Sequence, residues 1–255
     1  MRSPLPDGQP PMFAAVAEHL KSVAALPEVE GEAWSATYAI LQVLRDPGAG
    51  PWRTGAVGIV RLRRSANRSG SFDLHADVLH ALGNGLRDRY AADITSQADA
   101  AGSLIAWRRE ACFEARRPGL DSTTRRADTG RISAGRLIRQ PGAISRERFA
   151  KANPLVAQWV LFDTVRRLDE PLRCAMLEGL DVVRKNQTIR RSLASGPIEV
   201  ATASGPVNLR CIVQTGEGVL PITWWLAPSG LPLMVLGNCR AFVLSPGAAM
   251  PEMPR

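Results

Sequence analysis

From Phe72 to Val78 the chain alternates without a break: Phe72, Leu74, Ala76 and Val78 are apolar, and Asp73, His75 and Asp77 between them are polar. A period of two is the repeat of an extended strand, whose successive side chains leave on opposite faces. On a helix the same residues would be scattered around the axis and could bury no continuous stripe. The segment is therefore predicted to be an antiparallel strand with one face in a core and one in water.

The rhythm extends on both sides. Trp34, Ala36, Tyr38, Ile40 and Leu44 share one face of an earlier strand, although Gln42 interrupts it. Ala56, Gly58, Val60 and Leu62 share a face of the next, with Arg61 and Arg63 on the other. Turn chemistry separates the runs: Pro and Gly crowd Asp46–Trp52, polar residues fill Asn67–Gly70, and Asn84-Gly85 is a hairpin dipeptide. Further strands are expected over Leu86–Ile94 and Ser103–Phe113, and a pair over Thr123–Asp128 and Arg131–Ile138 joined at Thr129-Gly130. About seven strands with short turns predict an antiparallel meander.

Two helices are expected. Phe13, Val16, Leu20 and Val23 recur at helical spacing within 11–25, and Val156, Trp159, Val160, Phe162 and Val165 make an apolar stripe over 155–168, which Pro171 ends. Strands return after it, over Arg173–Leu177, Thr188–Ala194, Ile198–Ala203, Val207–Gln214, Pro221–Leu226, Leu233–Val235 and Ala241–Leu244. The expected fold is mainly β: a single domain over 33–244, built as a strongly curved antiparallel sheet (meander) with the amphipathic helix 155–168 packed on it. Residues 1–32 are read as a tail with a short N-terminal helix, and 245–255 as a C-terminal tail. The polar stretch 140–154 is taken as an internal loop rather than a domain boundary.

The formal net charge is +8, and with Lys21, Lys151 and Lys185 the only lysines, 29 of the 32 basic residues are arginine. That balance suits acidic partners, RNA or an anionic surface among them, as well as a merely solubilising surface. Nucleic-acid binding by a sheet usually adds exposed aromatics, and only Trp107, beside Arg108 and Arg109, fits that description. Cys112, Cys174, Cys211 and Cys239 are too widely spaced for a zinc motif and are expected as reduced, buried thiols, with disulfides the alternative in an exported chain. No run reaches the length of a transmembrane helix. The first residues lack a basic region followed by an unbroken apolar run, so a cytoplasmic location is expected, and an exported one should a leader have preceded them.

Few residues suggest chemistry. Asp73, His75 and Asp77 share a strand face and could join His80 around a divalent metal, against the plainer reading of a solvated face. In an enzyme, His75 and Asp73 would be the acid–base candidates. There is no Gly-x-Ser-x-Gly elbow, no P-loop and no dinucleotide fingerprint, and no cofactor is expected. Trp224 and Trp225 are adjacent in a strand and must point to opposite faces.

The segments VAQWVLFDTVRRL and LRCIVQTGEGVLPITWWLAPSGLPLMVLGNCRAFVL resemble uncharacterised bacterial proteins with a long curved antiparallel sheet, similar in outline to envelope lipoprotein carriers. The resemblance implies an apolar concave side that accepts acyl chains, and no catalytic residues. The expected function is thus non-catalytic binding of an apolar or amphipathic ligand, such as a lipid, in the concavity, with Trp159, Phe162 and Trp224 as its lining. The alternatives are an enzyme with a polar cleft near His75, and arginine-mediated binding of RNA or an anionic surface.

Overall fold

The computed structural model describes residues 11–27, 29–30, 32–44, 53–67, 70–83, 85–117, 119–142, 144, 148–192, 198–237 and 239–248. The expected N-terminal tail up to residue 10, the turn over 46–52, Asn84 and the C-terminal tail from 249 lie outside them.

Helix α1 (Pro11–Leu20) is followed by β1 (Val29–Glu30), β2 (Ala33–Leu44), β3 (Arg53–Ala66), β4 (Ser71–Gly83), β5 (Leu86–Gln97), β6 (Leu104–Arg117), β7 (Leu120–Ser133) and β8 (Arg136–Gln140). Next comes β9 (Leu155–Ala157), then a helical segment made of a 3-10 turn (Gln158–Val160), α2 (Leu161–Thr164) and a second 3-10 turn (Val165–Arg167). The remainder is β10 (Leu172–Glu178), β11 (Val182–Arg191), β12 (Ile198–Thr202), β13 (Gly205–Gly216), β14 (Val219–Leu226), β15 (Pro232–Gly237) and β16 (Arg240–Leu244).

All sixteen strands belong to one sheet, ordered β8-β7-β6-β5-β4-β3-β2-β16-β15-β14-β13-β11-β10-β9, with β1 added on β2 and β12 on β13. The strongly curved antiparallel meander is therefore corrected. The sheet is mixed, because β9 runs parallel to β10. It is open among the described residues, its order beginning at β8 and ending at β9 without a pairing between them. It is also not one meander, because β16 returns to pair with β2 and divides the chain into two runs.

The alternating strands behave as their side chains require. Phe72, Leu74, Ala76 and Val78 are buried, as are Val60 and Leu62 across β3 and Ala92 and Ile94 across β5. The β2–β3 register shifts between Ile40 and Leu41, where β3 carries the extra residue Val57, and Ala39, Ile40 and Leu41 are all buried there just before Gln42. Strand β7 runs through the expected turn at Thr129-Gly130. Gly130 sits opposite Trp107 in β6, and a Cβ there would lie 2.5 Å from the indole. The glycine makes room for a ring, and the chain turns later, at Ala134-Gly135.

The expected helix 155–168 is shorter than its apolar stripe. Leu155, Val156 and Ala157 pair with Ala175, Met176 and Leu177 as a strand, and only then does the backbone coil. Three consecutive fully buried residues suit a parallel strand covered on both faces as well as they suit a helix. Helix α1 likewise stops at Leu20 rather than Ala25, where Ser22 bonds back to the His19 carbonyl through its hydroxyl at 2.6 Å and its backbone N–H at 3.0 Å.

The helical segment is held against one sheet face by apolar packing and by one buried carboxylate. Val160, Leu161, Phe162 and Val165 are inaccessible or nearly so, and the Phe162 ring meets Tyr38 at a tilt and Trp224 and Phe242 edge to face. Asp163 accepts from the Trp34 indole N–H at 2.9 Å and pairs with Arg64 at 3.2 Å, Arg166 at 3.1 Å and Arg167 at 2.7 Å. Arg64 also donates to the Glu32 carbonyl and carboxylate, and its guanidinium lies 4.4 Å from the centre of the Phe72 ring. Arg210 and Arg191 donate to the carbonyls of Arg166 and Leu168, two groups that the end of a helix leaves without partners.

Candidate functional site

The face that carries the helical segment is called the covered face, and the other the open face. The site residues expected from sequence lie at the covered face. Trp159 is buried and donates its indole N–H to the Tyr90 hydroxyl at 2.9 Å. Phe162 and Trp224 are in edge-to-face contact, their centroids 5.1 Å apart. Trp224 in turn donates to Gln214 Oε1 at 3.3 Å, while its neighbour Trp225 is half-buried on the opposite side of the strand. These residues meet as expected, but in a packed interior.

That interior overturns the reading of a broad apolar concavity. The helical segment occupies the place where a lipid-sized ligand would lie, with Trp159, Val160, Leu161, Phe162 and Val165 all buried there.

The reading of an enzyme at His75 is overturned as well. His75 stands on the open face of β4, with Nδ1 2.6 Å from Asp93 and Nε2 3.1 Å from Asp77. Both carboxylates hold its pKa above the ordinary value against the opposing effect of partial burial. The arrangement is a cross-strand ion pair on a solvated face. Among the described residues no group of three or more His, Cys, Asp or Glu could hold a metal. His80 belongs to the other set of β4 residues, and its pKa is lowered by burial and by the charge of Arg240.

Binding of RNA or an anionic surface through arginine fares no better. Arg64, Arg109, Arg166 and Arg167 are bound to buried carboxylates and serve the fold.

Two cavities border the covered face. The larger, about 460 Å³, lies between β5–β7 and the turn joining β10 to β11. Its floor includes Asp88, Tyr90 and Arg109, and its rim Phe113, Arg126 and Val182. Arg109 makes the floor rigid: Nε and Nη2 bind both oxygens of buried Asp128, at 2.9 and 2.8 Å, and Nη1 reaches the Gly179 carbonyl at 2.7 Å. Bidentate pairing of this kind fixes geometry as well as charge. Burial pushes the Asp88 carboxyl above its ordinary pKa, and Arg109 draws it part of the way back.

The smaller cavity, about 180 Å³, is walled by Phe162, Trp224, Phe242, Ile222, Val235 and Met176, with Gln158, Glu178, Gln214 and Arg240 as its polar members. Gln214 is committed, donating to Met176 Sδ at 3.4 Å and to Gln187 Oε1 at 3.0 Å. Gln158 Oε1 accepts from the Gly179 N–H at 3.1 Å, and Glu178 Oε2 from Arg184 Nε at 2.7 Å.

A third cavity, about 490 Å³, opens on the other side of the sheet over Ile59, Leu79 and Ala81, beside Arg87, Arg89, Glu114 and Arg116. Glu114 and Arg116 form a loose pair there, at 3.7 Å.

Sequence reasoning missed the larger cleft because its members come from β5, β6, β7 and the β10–β11 turn. In the sequence Phe113 is only the last residue of the expected strand Ser103–Phe113, and its exposure follows from the fold.

Of the four cysteines expected from sequence as reduced, buried thiols, three are buried and one is not. Cys112, Cys174 and Cys211 are buried thiols outside any disulfide, whereas Cys239, in the turn before β16, is an exposed thiol.

No family model matches the chain, and no curated protein does. Among solved structures, it is similar to a crystal structure from Brucella abortus described as a beta-barrel-like protein of the domain of unknown function DUF1849. The TM-score is 0.50 at 10% identity, over 85% of this chain and 97% of that one. At that identity the likeness concerns the fold alone. It replaces the resemblance to lipoprotein carriers, whose curved sheet and acyl-binding concavity this chain does not share.

Proposed function

We propose that this chain is a protein-interaction module and that the cleft between β5–β7 and the β10–β11 turn receives an extended segment of a partner protein. The observation that carries the reading is the pair Phe113 and Val182. Among the described residues they are two of only six large apolar side chains classed as exposed, at 39% and 45%, and both border this one cleft. Single exposed apolar residues are ordinary, but two of them on opposite walls of one cleft point to a partner. Covering them would contribute roughly 1–3 kcal/mol each at most, on the usual scale of apolar burial.

The charges of the cleft suggest the rest of the partner segment. Arg109 is engaged by Asp128 and Gly179, and Arg126 lies 3.7 Å from the same Asp128. Of the acidic groups that line the cleft, Glu178 is paired with Arg184 at 2.7 Å and Asp181 with Arg139 at 3.0 Å, and Asp88 makes no ion pair among the described residues. An apolar anchor flanked by lysine or arginine would match both features.

Panning a peptide display library on the whole chain tests this. The expected consensus is an apolar residue beside a basic one, with binding lost in Phe113→Ala and Val182→Ser. Absence of any enriched consensus, or enrichment that both variants retain, would sink the reading.

A further inference from the structure

We propose that the smaller cavity is a binding site for a free apolar α-amino acid, its carboxylate on Arg240, its ammonium on Glu178 and its side chain among Phe162, Trp224 and Phe242. The site goes beyond the peptide cleft, with which it shares only Glu178.

Three observations support it. The first is Arg240, which lines the cavity and makes no ion pair or side-chain hydrogen bond among the described residues. Most other arginines at the covered face are bound to carboxylates or carbonyls, so this one stands out. A guanidinium beside a partly enclosed space is suited to bidentate contact with a carboxylate.

The second is the opposite charge on the same cavity. Glu178 Oε2 accepts from Arg184 Nε, while no partner is seen for Oε1 among the described residues. A cavity bordered by one guanidinium and one carboxylate favours a ligand that carries both signs over a simple anion. The Gln158 amide adds a donor, since its oxygen is already held by the Gly179 N–H.

The third is size and wall chemistry. An apolar protein cavity of about 150 Å³ is large enough for benzene, so about 180 Å³ admits a branched or aromatic side chain and excludes an acyl chain. The aromatic walls and Met176 give the apolar surface such a side chain needs. Ligand sites commonly combine walls of this kind with a few polar groups that fix orientation.

Calorimetric titration of the full chain with L-leucine, L-methionine and L-phenylalanine tests the site. Saturable binding of at least one is expected. For the leucine frame, 4-methylpentanoate lacks the ammonium and 3-methylbutylamine lacks the carboxylate, and each should bind at least roughly tenfold more weakly than the amino acid. Arg240→Gln should weaken the amino acid and the acid but not the amine. Glu178→Gln should weaken the amino acid and the amine but not the acid. Phe113→Ala, which removes the peptide-cleft anchor, should leave amino-acid binding unchanged, so the two readings fail separately. No saturable binding of any of the three amino acids overturns the proposal. So does binding of either truncated analogue as tight as that of the amino acid, or amino-acid binding that both charge variants leave intact.

Discussion

The indole N–H of Trp159 donates to the Tyr90 hydroxyl at 2.9 Å, joining residues 69 positions apart in the chain. Both groups are buried, so neither can turn to water instead. Through this bond the helical segment is tied to β5, while Phe162 on the next turn packs toward Tyr38 of β2 and Phe242 of β16. Trp159→Phe keeps most of the ring and removes the donor. It should cost about 1–2 kcal/mol in urea unfolding, the usual penalty for a lost buried hydrogen bond. Adding Tyr90→Phe should recover part of that loss, because the orphaned hydroxyl then goes too.

Among the described residues Asp163 is the one buried carboxylate that pairs with Arg64, Arg166 and Arg167. Asp163→Asn leaves those guanidiniums together without their anion. A loss of about 3–5 kcal/mol is expected, the range for breaking a buried ion pair from one side. The midpoint of urea unfolding measures it, and a change under 1 kcal/mol would contradict the assigned role.

The cross-strand cluster on the open face should respond to pH. The His75 pKa is raised by Asp77 and Asp93, so its stabilisation is complete below the unfolded-state value and fades as pH climbs through the raised one. The Asp77 pKa is lowered, chiefly by His75, so its share is present above the unfolded value and fades as pH falls through the lowered one. The interaction is therefore strongest at mildly acidic pH. His75→Gln should flatten the decline in stability expected from roughly pH 6 to 8, and NMR titration should place the His75 midpoint above that of an unperturbed histidine. A midpoint at or below the ordinary value would refute the pairing.

Gly102 has φ +67°, and a Cβ there would fall 2.6 Å from Val160 Cγ1 and 3.0 Å from Thr164 Oγ1. Gly102→Ala combines backbone strain with a push against the helical segment. The expected cost is about 1–3 kcal/mol by thermal unfolding. Gly119→Ala, at a similar φ with open space around it, should cost only the backbone share.

Thiol chemistry should separate the four cysteines. Iodoacetamide applied to the native chain should modify Cys239, the exposed one, and spare Cys112, Cys174 and Cys211. Burial pushes the Cys174 thiol up to about 12, so it offers almost no thiolate near neutral pH. Peptide mapping before and after denaturation reads the order directly.

The sequence was most legible where one face met water. The alternation in β2 to β5 follows from half-burial, and so did the prediction of those strands. It was least legible where burial is two-sided or pairing is distant. Leu155, Val156 and Ala157 are apolar whether they start a helix or form the parallel strand beside β10. Gly130 looked like a turn because only the fold brings the Trp107 ring over it. The meeting of Asp163 with Arg64, 99 positions away, left no local trace. Trp159, Phe162 and Trp224 were recognised as a group that converges, but bulk alone cannot say whether aromatic rings surround a ligand or one another.

The place of β16 between β2 and β15 has a consequence for how the protein is made. During synthesis β2 leaves the ribosome early, and the partner for one of its edges is more than 190 residues behind it. Until β16 emerges the first run of strands must carry an unsatisfied border, open to foreign strands. Joining the two runs waits for β16 to emerge, a long-range step of the kind that slows folding of β proteins.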